Sequence, residues 1–222
     1  MEAALSNASF RVMKSVLSLG EISFVVFKAA RGAGFAWGLA EEAGHAARWL
    51  TTQGLFEPID FYNALIKTLP PPREPKKLRP PPDAKALCPF RLGALLCDGA
   101  ENLPDRRAYR VSHPLLLAAC LAPAAGALQK SFALSWRGAK ITITRHIAIT
   151  GGDNLHANFA DVVQIKALSP PLSPPAGLAK PNAISPNTSG WRRLTTLAGK
   201  ILVPSSEDST IKGAGAGLTD ND

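Results

Sequence analysis

Two proline runs limit what this chain can build more than any other feature. "PPPREPKKLRPPP" starts at Pro70, and "SPPLSPPAGLAKPNAISP" starts at Ser169. Proline locks its own φ, lacks an N–H, and pushes the preceding residue into extended conformations. Neither run can lie inside a helix or a central strand. Both therefore read as exposed, polyproline-like connectors, with loop boundaries at 69–83 and 168–190. The chain of 222 residues is long enough for one well-filled core. The expectation is a disordered extension over 1–16, followed by a single domain over 17–222.

Before the first connector the pattern is helical. In "LSLGEISFVVFKAARGAG", Ser18 stands three positions before Glu21, the spacing of a capping box. Leu19, Ile22, Val26 and Ala29 or Ala30 share a stripe, and Gly32 or Gly34 supplies a stop. "WGLAEEAGHAARWLTTQGL" repeats the pattern with Trp37, Ala40, Gly44, Ala47 and Leu50 inward and Gly54 at its end. The glycine-bearing connection between them predicts a helical hairpin. A third helix is expected over Ile59–Lys67, with Pro58 in its first turn.

The middle of the chain mixes patterns. Cys88, Phe90, Leu92 and Ala94 alternate, which reads as a strand interrupted near Gly93. "DGAENLPDRRAYRVS" reads as a polar loop. "HPLLLAACLAPAAGALQ" reads as a helix capped by Ser112 or His113, with a kink or break at Pro123. "FALSWR", the Gly138-Ala139 turn and "KITITRHIAIT" read as a hairpin, and "ADVVQIKAL" as a further strand. After the second connector, "GWRRLTTLAGKILVP" reads as an amphipathic helix with Trp191, Leu194, Leu197 and Leu202 inward. The fold class this gives is α+β: a helical hairpin and third helix, then mainly antiparallel strands with packed helices.

Charge and cysteine content exclude several classes. The formal net charge is +8, but the basic residues are scattered. Neither Arg73, Lys76, Lys77 and Arg79 nor Arg106, Arg107 and Arg110 has aromatics interleaved at base-stacking spacing. Nucleic-acid binding is therefore not expected. Three cysteines, Cys88, Cys97 and Cys120, are odd in number and widely spaced, which fits a reducing, cytoplasmic setting. No run of about 20 apolar residues is present to span a membrane.

Three groups of residues could carry chemistry. "RGAGFAWG" joins two helices. Arg31 and the amides near Gly32, Gly34 and Gly38 could meet an anionic group at a helix N-terminus, or the glycines could simply form the turn. Cys97, Asp98 and His113 flank a loop before a helix start. Cys97 and His113 could serve as nucleophile and base, or as a buried thiol and a capping histidine. A zinc site drawn from Cys88, Cys97, His113, His146 or His156 would lack any CxxC or HxxxH pair. The terminal "GAGAGLTDND" places Gly213, Gly215 and Gly217 before Asp220 and Asp222. Their G-x-G-x-G spacing departs from the dinucleotide fingerprint, so a dinucleotide loop is not expected. A backbone nest, a hard-cation site at Asp220 and Asp222, and a frayed end stay open.

"LSLGEI", "KAARGAGFAWGLAEEAGHAARWL", "LCPFRLGALLCD", "HPLLLAA" and "GAGAGLTDND" together resemble a family of uncharacterised bacterial proteins, domain of unknown function 3726. The resemblance implies no activity or cofactor. It does imply that the glycine-rich tail is a placed element, and "LAGKILVP" stands where a histidine-bearing segment is expected. The leading expectation is binding of a small anionic metabolite, or support of a metabolic enzyme partner, with Gly213–Asp222 closing over Arg31, Asp98 and His113. The alternatives are an enzyme with acid–base or metal-assisted chemistry near Cys97 and His113, and a protein-interaction subunit.

Overall fold

The computed structural model describes residues 17–67, 78–80, 84–144, 146–168 and 188–202. The expected extension over 1–16 and the tail Gly213–Asp222 lie outside the described residues.

Helix α1 (Leu19–Gly32) opens with the expected capping box: Ser18 Oγ accepts from Glu21 N–H, and the Glu21 carboxylate accepts from Ser18 N–H. Ile22, Val26, Ala29 and Ala30 are its buried stripe. Helix α2 (Trp37–Thr52) packs tightly against it, because Gly44 lets the backbones meet. A Cβ at Gly44 would lie 2.9 Å from the Ser23 carbonyl oxygen, and Ser23 Oγ donates to the Gly44 carbonyl at 3.0 Å. Helix α3 (Pro58–Lys67) follows with its proline at the start.

Helix α4 (Pro89–Asp98) replaces the strand expected over Cys88–Asp98. Pro89, Leu92, Gly93 and Leu96 are buried at helical spacing, a pattern that the alternation of Cys88, Phe90, Leu92 and Ala94 concealed. Gly93 is the pivot: a Cβ there would sit 2.3 Å from Cys120 Cβ on the facing helix. Short apolar runs satisfy both periods, and this packing decides for the helix.

The expected polar loop after Asp98 contains an edge strand, β1 (Arg106–Ser112), whose arginines face solvent as edge charges do. Helix α5 (Pro114–Ala127) runs unbroken through Pro123, which is exposed. The remaining strands are β2 (Ser131–Trp136), β3 (Ala139–Ile143), β4 (Ile147–Gly151) and β5 (Phe159–Leu168). "KITITRHIAIT" is thus two strands, because Thr144 Oγ1 bonds both N–H and C=O of His146 and turns the chain. Leu168 belongs to β5, and Ser189 and Gly190 belong to helix α6 (Ser189–Gly199), so the second connector is shorter than 168–190.

The sheet order is β1-β5-β2-β3-β4, and every neighbouring pair is antiparallel. One face carries Phe132, Leu134, Ile141, Ile143, Val163 and Ile165 into the core. The other presents Arg107, Lys140, Gln164 and Lys166 to solvent. α5 lies between this inner face and helices α2 and α4, which is why it is apolar on nearly every side. α6 crosses back to pack on α1 and α3. Among the described residues, six α-helices and five strands make the fold α+β, with helices before the strands.

Two expected inward residues face out. Trp37 is 61% exposed and Leu202 is 60% exposed. Trp37 opens the first turn of α2, where its ring packs edge-on against Phe27 and its indole N–H donates to Glu41. Leu202 lies past the end of α6.

Candidate functional site

The flank of α6 is built for charge. Its core face is Gly190, Trp191, Leu194, Leu197 and Ala198. Rotated from that face, Ser189, Arg192, Arg193, Thr196 and Lys200 recur at i, i+3, i+4, i+7 and i+11, a second stripe along the same helix. Tyr62 and Ile66, one turn apart on α3, stand opposite. Together with Leu197 these residues enclose a groove of about 480 Å³. Among the described residues, Arg192, Arg193 and Lys200 are the charged groups on its wall, and none of those that line it is a carboxylate. Arg193 lies over the Tyr62 ring at 5.5 Å, a cation–π contact between the two walls. Thr188 caps α6 by accepting from Trp191 N–H, so the helix N-terminus is anchored beside the arginines.

Close contacts fix the two walls. A Cβ at Gly190 would lie 2.6 Å from Ile59 N, so α6 and α3 touch backbone to backbone at one end. A Cβ at Gly32 would lie 2.0 Å from the Leu197 carbonyl oxygen and 3.4 Å from Lys200 Cβ. The end of α1 therefore abuts the other end of the groove. A larger cavity of about 680 Å³ opens on the solvent side of the sheet, but Arg137 and Asp161 both line it, and it favours neither sign.

The residues of "RGAGFAWG" take structural parts. Arg31 donates to the Phe35 carbonyl and stacks on Trp37, so its guanidinium closes the end of α1. Gly32 allows the approach of α6, and Gly34 adopts a φ of 86° in the turn. Gly38 is exposed, with nothing near its missing side chain. Gly32 nevertheless stands beside Lys200, at one end of the charged groove.

Cys97, Asp98 and His113 do not meet through any hydrogen bond between them. The Cys97 thiol donates to the Cys120 carbonyl at 3.2 Å. Burial, with the charges of Glu42 and Asp98, pushes it up to about 11, so it is a thiol at neutral pH. Asp98 is exposed at the end of α4. His113 is buried at the start of α5 in a left-handed conformation, φ 43°. Its Nδ1 is 2.7 Å from Ser112 Oγ and its Nε2 is 3.1 Å from Asn158 Oδ1. An amide oxygen only accepts, so Nε2 donates and Nδ1 receives the serine proton. Burial lowers this imidazole below its ordinary range and keeps it neutral.

His156 behaves oppositely. Its Nδ1 bonds Asp60 on α3 at 2.8 Å, and that bond raises its affinity for a proton despite partial burial. His146 sits in the β3–β4 turn with Nδ1 buried and unpaired. Among the described residues no group of three or more His, Cys, Asp or Glu could hold a metal ion, which covers the cysteines and histidines above. Asp220 and Asp222, like Gly213, Gly215 and Gly217, lie outside the described residues.

The charged stripe on α6 was not singled out from the sequence. "WRRLTTLAGK" does contain its signal, because cations at 192, 193 and 200 repeat at helical spacing beside the apolar stripe. The partner wall from α3 leaves no such trace.

Among the described residues, no helix is long and apolar enough to cross a membrane. Comparison with curated proteins and with solved structures gives no match. Residues 17–69, which build α1, α2 and α3, match the model of the family described as Protein of unknown function (DUF3726), the family the sequence resembles.

Proposed function

We propose that this protein binds a small anionic metabolite in the groove between α3 and α6. The observation that carries this reading is the wall itself: Arg192, Arg193 and Lys200 around about 480 Å³, with no carboxylate among the described lining residues. That volume is in the range of small-molecule sites, roughly 300–1,000 Å³. Arginine's planar fork suits carboxylate or phosphate oxygens, and two arginines lie at the capped N-terminal end of α6, where the helix dipole also favours negative charge. The three cysteines, none in a disulfide, support a reducing, cytoplasmic setting for such a ligand. The bound form could act alone or in service of a metabolic enzyme partner.

Isothermal titration with inorganic phosphate and with citrate, at low ionic strength, tests this. Saturable binding should weaken at least about tenfold in Arg192→Ala/Arg193→Ala, the loss expected when charge-assisted bonds are removed. Both side chains are exposed, so the variant should keep its fold, which circular dichroism checks. Equal binding in the double variant, or none in the native protein, would overturn the proposal.

A further inference from the structure

The groove has two charged ends and an apolar middle, and this says more about its ligand than sign alone. Ser189, Arg192 and Arg193 lie at one end, and Lys200 lies at the other. Between them are Tyr62 and Ile66 from α3 and Leu197 from α6. All of the cations belong to one continuous helix and its C-cap, so their spacing follows from helix rise. Seven or eight residues separate the arginines from Lys200, which places the positive ends about 10–12 Å apart along the axis.

A small, compact anion can satisfy only one end. Phosphate held by the arginines leaves Lys200 and the apolar strip against water. A ligand that fills the groove carries negative charge at both ends and an apolar segment between them. We infer, on the reading that this groove is an anion site, that its ligand is an elongated dianion with two acidic groups about 10–12 Å apart joined by an apolar spacer. The ends are not equivalent. The arginine end offers two planar forks, a serine hydroxyl and the positive end of a helix, so it takes the more highly charged or planar acidic group. The lysine end offers one point charge beside Gly32.

The structure also explains why the spacer is apolar. Tyr62 and Ile66 are half-buried, and Leu197 is buried, so the floor is already part of the protein's core. Covering it with methylenes removes apolar surface from water, whereas covering it with hydroxyls leaves them without partners.

A series of α,ω-dicarboxylates from succinate to dodecanedioate, titrated into the native protein, tests the inference. Affinity should rise with length, peak at about eight to ten carbons, the length that spans 10–12 Å, and fall beyond it. Decanoate, with one carboxylate, should bind at least about fivefold more weakly than the best dicarboxylate, as loss of one ion contact requires. Lys200→Ala should flatten the length dependence, and Lys200→Arg should restore it. Phosphate binding with a flat length series, or a length series unchanged by Lys200→Ala, would overturn the dianion inference and leave the anion site standing. Failure of phosphate and of every dicarboxylate to bind would remove both.

Discussion

Single residues set the closest tolerances in this molecule. Gly32 is helical, so alanine there would ordinarily add about 1 kcal/mol of helix propensity. Its environment reverses that sign, because the new Cβ would fall 2.0 Å from the Leu197 carbonyl oxygen. Backbone cannot yield as a side-chain tip can. Gly32→Ala should therefore lose about 1–3 kcal/mol in urea unfolding, in the range of overpacked sites. Gly38→Ala, with nothing within 4 Å, should be neutral or slightly stabilising. Equal effects at the two positions would refute the close contact. The Asp60–His156 pair makes a separate claim about pH. The folded protein raises this imidazole above its ordinary value near 6.5, so the bond stabilises most when His156 is protonated. That contribution is complete below about pH 6.5, the unfolded value, and is lost as pH rises through the higher folded value. His156→Gln should destabilise at pH 6 and converge on the native protein at high pH, read from urea midpoints across the range. His113, lowered by burial, has the opposite sign: its contribution is complete above 6.5 and lost as pH falls toward its folded value.

Elements depend on their ends. α6 starts at Thr188, whose hydroxyl accepts from Trp191 N–H at 3.2 Å. Thr188→Ala should cost about 1 kcal/mol, measured by thermal unfolding, and an unchanged midpoint would show that the cap is dispensable. The same logic made α1 legible in the sequence, because Ser18 and Glu21 are an address that local chemistry alone enforces. The α1–α2 hairpin, α3, α5 and β5 were legible for a similar reason: their periods or punctuation are local. α4 was not, since Cys88 to Asp98 satisfies two periods and only the contact of Gly93 with Cys120 selects one. β1 was hidden by its arginines, which an edge strand tolerates and a loop also displays. The groove was half legible. Its cations repeat along α6, but the choice of α3 as the facing wall is made by long-range packing between Gly190 and Ile59, which no local pattern encodes.

At the scale of the whole molecule, polar links tie the helical segment 17–67 to the sheet. Gln53 Oε1 accepts from Ile147 N–H at 3.2 Å, joining the end of α2 to the first residue of β4. Asp60 and His156 join α3 to the chain before β5. The apolar joins are broader. α6 buries Trp191, Leu194 and Leu197 against α1 and α3. At about 1.5–3 kcal/mol for each large side chain, this rivals the typical net stability of a domain, about 5–15 kcal/mol. A chain ending at residue 188 should lose cooperative unfolding and bind a hydrophobic dye such as ANS; a sharp transition at the native midpoint would contradict this. The contact of Gly32 with Leu197 carries one more consequence, and it concerns time. During synthesis α1 leaves the ribosome before the sheet, and its partner α6 leaves after it. The flank of α1 around Gly32 must wait for a surface made only after the sheet, so a segment made before the sheet is completed after it. Until then the growing chain carries an open apolar face, and it is the nascent protein, more than the finished one, that needs shielding from its neighbours.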